Sequence, residues 1–235
     1  MPPEERFLPR FAAEPPQEVL PYGRWAERLS SEFLAGCLAL ERDSEDLGKP
    51  GEIVWYPDRT WQGFTYIPAS AITSNGYELF GYVRFAPAAH GGDPSDFHAH
   101  ADFTDETAER NPGWKLDLCE ETIGSWRGHA GAVAVMTLVW GRPLIAGGRI
   151  VTAELADLAV DQCELIEERF TLVAPDDYRG DLLEIKLFSA KGQELARESL
   201  YAQEDEEEQD GDEQDGDEQD GNEQDDLGAG AQPQR

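Results

Sequence analysis

The chain has 235 residues with 49 acids against 19 bases, a formal net charge of −30 and a pI near 4.2. Such a field repels phosphate, because binding DNA or RNA needs Lys and Arg in place of counterions, so direct nucleic-acid binding is not expected. No run reaches 18 apolar residues, and the best stretch, Ala130 to Trp140, is too short to span a bilayer, so a membrane protein is not expected either.

The charge is uneven. Fifteen acids fall between Glu204 and Asp226, and after Tyr201 the one base is Arg235. The rest of the chain keeps 34 acids (49 − 15) against 18 bases (19 − 1), about −16, so it is acidic in its own right. Three cysteines, Cys37, Cys119 and Cys163, lie far apart with no C-x-x-C pair, which argues for reduced thiols and a cytoplasmic setting. The opening Met1-Pro-Pro-Glu-Glu-Arg6 has no apolar h-region, so no secretory signal is expected.

Residues 1–22 carry six prolines and read as an extended arm, since proline fixes φ and removes a donor. From Arg24 to about Glu41, Trp25, Leu29, Phe33, Cys37 and Leu40 recur at helical spacing with Glu27, Arg28 and Ser31 opposite, predicting one amphipathic helix. After Gly51 the period becomes two. Glu52–Tyr56, Trp61–Ile67, Tyr77–Phe85, Asp96–Thr104, Trp114–Cys119, Ala132–Trp140, Arg149–Leu155, Glu164–Val173, Leu182–Phe188 and Glu194–Tyr201 read as strands. Ala132–Trp140 is nearly all apolar, as a strand buried on both faces would be. Ser189 to Gln193 reads as a hairpin turn with Gly192 free to take φ > 0.

Nine to eleven short strands and one early helix predict a mainly β fold: a β-sandwich, with a β-barrel as the alternative. Residues 23–202 then form a single β-rich domain. From Gln203 on, aromatics are absent and a QDGDE unit repeats with a five-residue step, so 203–235 is expected to be a disordered acidic tail. Its Asp-Gly-Asp units do not make an EF-hand. Counting from Asp210, position 6 is Asp215 where glycine is required and position 12 is Gly221 where glutamate is required.

One constellation invites chemistry: Asp96-Phe-His98-Ala-His100-Ala-Asp102-Phe-Thr104. In a strand, alternate residues share a face, so Phe97, Ala99, Ala101 and Phe103 lie on one side and the histidines on the other. His98 and His100, about 7 Å apart, can converge on one divalent metal, with His129, His90, Glu120 or Glu121 as the source of a third ligand. Plain solvation of the polar face is the competing reading. The spacing of Gly92, five residues, His98-x-His100 and then Asp105 resembles the first motif of the cupins. That resemblance implies a metal-dependent β-barrel enzyme or sensor, with His129 as the third histidine. It covers some fourteen residues: Gly124, Trp126 and Val133 stand where the second motif has proline, glycine and asparagine.

Glycines flank His129 in Trp126-Arg-Gly-His-Ala-Gly131, where a close backbone approach to a ligand competes with an ordinary loop. Trp55, Tyr56, Trp61, Phe64 and Tyr66 are dense enough to line a pocket for a small apolar ligand, although aromatics this frequent also build β cores. Nucleophile-elbow, P-loop and dinucleotide motifs are absent. The leading expectation is a non-enzymatic protein acting through protein–protein contacts, its acidic tail engaging a basic partner or keeping an assembly soluble.

Overall fold

The computed structural model describes residues 24–40, 46–88, 93–127, 133–176 and 182–200. The arm at 1–22 and the tail at 203–235 lie outside them. Helix α1 (Arg24–Leu38) carries Glu27 in its first turn, where a carboxylate suits the positive end of the helix. Leu29, Phe33 and Cys37 are buried at the predicted spacing of four.

Twelve strands follow among the described residues: β1 (Val54–Trp55), β2 (Arg59–Trp61), β3 (Phe64–Ile72), β4 (Glu78–Ala86), β5 (Ser95–Thr104), β6 (Leu116–Arg127), β7 (Val133–Pro143), β8 (Gly148–Leu155), β9 (Leu158–Glu164), β10 (Phe170–Asp176), β11 (Glu184–Ser189) and β12 (Glu194–Ser199). All pair antiparallel, in three open sheets. The first runs β1-β3-β4-β5, with β2 also on β3; the second runs β10-β7-β6; the third runs β12-β11-β8-β9. None closes into a barrel, and the stacked sheets form a sandwich.

Alternation along each strand sorts the side chains into three cores. Leu29, Phe33 and Cys37 of α1 meet Ile67, Ala69, Ala71, Leu79 and Val83 on the outer face of the first sheet. Gly36 lets the helix sit close, since a Cβ there would lie 3.2 Å from Ala99 Cβ on β5. Tyr56, Tyr66 and Tyr82 on the inner face of that sheet meet Met136, Leu138, Trp140 and Val173 of the second. The second sheet's other face supplies Val139, Phe170, Leu172 and Ala174 to a core shared with Val151, Ala153, Leu155, Ile185 and Leu187 of the third. The second sheet is therefore buried on both faces at its centre, as the apolar run through Trp140 implied. On one face burial ends towards the start of β7, where Val133 is 54% and Val135 40% exposed while Ala134 between them stays buried.

Two expected strands are divided. The run Trp61–Ile67 is split by a turn at Gln62 and Gly63, both at positive φ, so β2 and β3 form a hairpin. The run Glu164–Val173 is split at Glu167 and Glu168, also at positive φ, with Ile166 and Arg169 bridged across the turn. Strand β9 was not foreseen: it is joined to β8 at Ala156 and Asp157, φ 50° and 61°, neither a glycine. Gly192 takes φ 75° in the predicted Ser189–Gln193 turn.

Candidate functional site

Strand β5 forms the open edge of the first sheet and carries the histidines. Its register against β4 places Val83 opposite Ala99, Tyr82 opposite His100 and Arg84 opposite His98. Phe97, Ala99, Ala101 and Phe103 pack into the core under α1, as the period of two requires. Arg28 of the helix lies over the Phe97 ring at 3.9 Å. Gly81 on β4 permits the pairing beside His100: at φ 156°, a Cβ would stand 2.1 Å from the His100 carbonyl oxygen.

On the opposite face Asp96, His98 and Asp102 are exposed, and His100 is partly covered. The His100 ring stacks on Tyr82, with centroids 5.6 Å apart and planes at 29°. Its Nε2 lies 2.9 Å from Oε2 of Glu121, which reaches across from β6. Of the two candidate partners among the described residues, Glu120 and Glu121, the fold brings Glu121 to His100. Glu120, the next residue along the strand, projects from the other face of β6. His90 and His129 lie outside the described residues, as does most of the glycine-rich stretch around His129. Among the described residues, no group of three or more His, Cys, Asp or Glu side chains is placed to hold a metal ion.

The electrostatics around this face follow from burial. Tyr82 is pushed up to about 12 by burial, with Tyr66 and Glu121 adding to the effect, so it stays a neutral phenol beneath the imidazole. Glu120 is raised to about 7 by burial, then by Asp176 and Glu121. The His100–Glu121 contact holds an imidazole in place with a carboxylate at Nε2 and leaves Nδ1 for another partner. It is an oriented imidazole–carboxylate pair joining the edge strands of two sheets.

The aromatic cluster is divided between two cores. Trp55 packs beside Phe33 under the helix, ring centroids 6.2 Å apart, while Tyr56 and Tyr66 are buried between the first and second sheets. Trp61 lies against Gly124 of β6, where an added Cβ would meet the indole at 2.5 Å, and Phe64 lies under Arg84 at 4.9 Å. Trp61 and Phe64 pack against the same inter-sheet cluster as Tyr56 and Tyr66, and Trp55 alone belongs to the core under the helix.

Other buried polar groups carried no signal in the sequence. Lys186 is 3% exposed and donates to Glu154 at 2.6 Å, with Glu184 at 3.3 Å and Asp157 at 3.5 Å. Asp117 accepts from Arg142 at 3.0 Å beside Glu78, which burial and Asp117 both raise. Cys37 and Cys163 are pushed up to about 11 by burial, and Cys119 is raised well above the usual thiol value, so all three stay protonated and weakly nucleophilic. No helix among the described residues is long and apolar enough to cross a membrane. In comparisons with protein-family models, curated proteins and solved structures, the chain has no match.

Proposed function

We propose that this chain is a non-enzymatic, cytoplasmic β-sandwich protein that works through protein–protein contacts, its acidic C-terminal segment engaging a basic partner. The observation that carries this reading is the exposed apolar pair Val133 and Val135 at the start of β7. Val133 and Val135 alternate on the face that, further along β7, buries Thr137 and Val139 against the third sheet. An apolar core face that runs on into solvent is a surface suited to a partner. The fifteen acids between Glu204 and Asp226 add a long-range attraction for basic proteins, which speeds encounter more than it tightens the final complex.

The test is affinity capture from extracts of the source cells with three proteins: the full chain, a chain ending at Ala202, and the full chain with Val133→Asp and Val135→Asp. The reading expects a basic protein, identified by mass spectrometry, that is weakened by the truncation and lost with the double aspartate. Binding unchanged in both variants would overturn it. So would near-stoichiometric zinc, iron or manganese in the untagged protein that is lost in His98→Ala/His100→Ala, since that would make the histidine pair a metal site.

A further inference from the structure

Arg59 opens β2 directly after Pro57 and Asp58, and its cross-strand partner is Tyr66. Cross-strand partners share a face. The guanidinium is therefore carried to the side on which Tyr66 packs with Trp140 and Val173, between the first and second sheets, and Arg59 is 2% exposed. A guanidinium does not lose its proton in a protein, so its N–H donors need acceptors wherever it is buried.

The charge is balanced by Asp161 on β9. Arg59 Nε stands 3.8 Å from Asp161 Oδ2, with the two side chains 1% and 2% exposed. That separation is ionic contact without a hydrogen bond. The carboxylate is already occupied: Oδ1 accepts from the Gln162 N–H at 2.7 Å and Oδ2 from the Val173 N–H at 2.9 Å. Arg59 also hydrogen-bonds the Cys163 sulfur. Its Nε–H and Nη1–H have no partner among the described residues.

Two more buried groups without a partner lie on one face of the second sheet, the face that carries Val173. Thr171 lies two residues before Val173, on the same face of β10, and its Oγ1 is buried without a partner. Trp140 stands opposite Thr171 in the β7–β10 register, fully buried, with its indole Nε1–H unpartnered. Each buried donor left unmade costs about 1–3 kcal/mol, and four such groups together would be a large part of a domain's stability of about 5–15 kcal/mol.

We infer that the corner between β2, β9 and β10 is a binding site for internal water, held by Arg59 Nε and Nη1 and by Thr171 Oγ1, with Trp140 Nε1 beside it. Water fits the chemistry. It accepts from the guanidinium and exchanges a hydrogen bond with the hydroxyl, as buried waters do with otherwise unsatisfied groups. A small anion fits less well, because Asp161 already neutralises Arg59 and a second negative charge would be buried uncompensated. The site joins three elements that hydrogen bonding within the sheets leaves separate, and so fixes β2 against the second and third sheets.

The test is a high-resolution crystal structure of the full chain, grown once with chloride and once with bromide. The expected result is a water peak about 2.7–3.2 Å from both an Arg59 nitrogen and Thr171 Oγ1, with no bromide anomalous signal there. An anomalous peak would make it an anion site and overturn the inference. Direct protein partners for these atoms in the refined structure would overturn it equally. Thr171→Val, close to isosteric, should lose the water; a water unmoved in that variant would remove Thr171 from the site. Should that variant fail to fold, the wild-type chain still decides in solution. A long-lived water gives a cross-relaxation peak at the Arg59 Nε proton, and absence of that peak overturns the inference.

Discussion

His100 and Glu121 fasten the open edge of the first sheet to the second: 2.9 Å separates Nε2 on β5 from Oε2 on β6. The imidazole is steadied by Tyr82, its cross-strand neighbour on β4. The contact ties together two sheet edges that share no ladder hydrogen bonds.

A double-mutant cycle with His100→Ala and Glu121→Ala should give a coupling of about 0.2–1 kcal/mol. The side chains are 40% and 24% exposed, so solvent screens the pair and limits its worth. Urea unfolding of the four proteins measures it. A coupling of several kcal/mol would mean that the pair is shielded far more than this geometry allows.

Replacing Phe33 by Ala should cost about 3–5 kcal/mol and Leu29 by Ala about 2–5 kcal/mol. Both side chains are almost fully buried between α1 and the first sheet. Equilibrium denaturation reads the loss directly. Less than about 0.5 kcal/mol at both positions, well short of that range, would detach the helix from the sheet.

Lys186→Met should destabilise by about 3–5 kcal/mol, because it strands the Glu154 carboxylate, which is 9% exposed. Adding Glu154→Gln should recover part of that loss, since no uncompensated charge then remains at the pair. The thermal midpoints of the single and double variants test this order. A double variant less stable than Lys186→Met would contradict it.

Glu120 sets a pH dependence. Its folded value of about 7 lies above the unfolded carboxylate value of about 4.3, so the folded state holds a proton that the unfolded state has released. The favourable term is complete below about pH 4.3 and is lost as pH rises to about 7. Glu120→Gln should therefore stabilise the protein near pH 8 and leave it unchanged near pH 4. The gain should be about 1 kcal/mol or less, because part of the side chain remains open to solvent, which screens its charge. Chemical denaturation at the two pH values checks the sign, and a variant less stable than wild type at pH 8 would contradict it.

Much of the local structure was legible before any coordinates. A spacing of four placed Leu29, Phe33 and Cys37 on the buried side of α1, because a helix turns about 100° per residue. A period of two put Phe97 to Phe103 on one face, under α1, and the histidines on the other, because a pleated strand alternates, but it did not show that the histidine face is the one turned towards the second sheet. Where strands were misread, the turn chemistry was at fault. Ala156 and Asp157, like Glu167 and Glu168, take positive φ without the Gly or Asn that marks such turns, so β9 and its separation from β10 left no local mark.

The sequence by itself determined a mainly β fold with one amphipathic helix, because burial of alternating and helical stripes is a local property of residue order, whereas the stacking of open sheets into a sandwich and not a barrel came from the tertiary structure. Only the tertiary structure decided which polar residues meet. Glu121 reaches His100 from 21 positions away, and Asp161 reaches Arg59 from 102. Such pairs depend on how sheets stack and slide over one another, which no periodicity encodes. A charged residue in a β-rich chain reads as solvated until a second layer covers it, and the packing of the second sheet on the first is what turned Arg59 into an interior group.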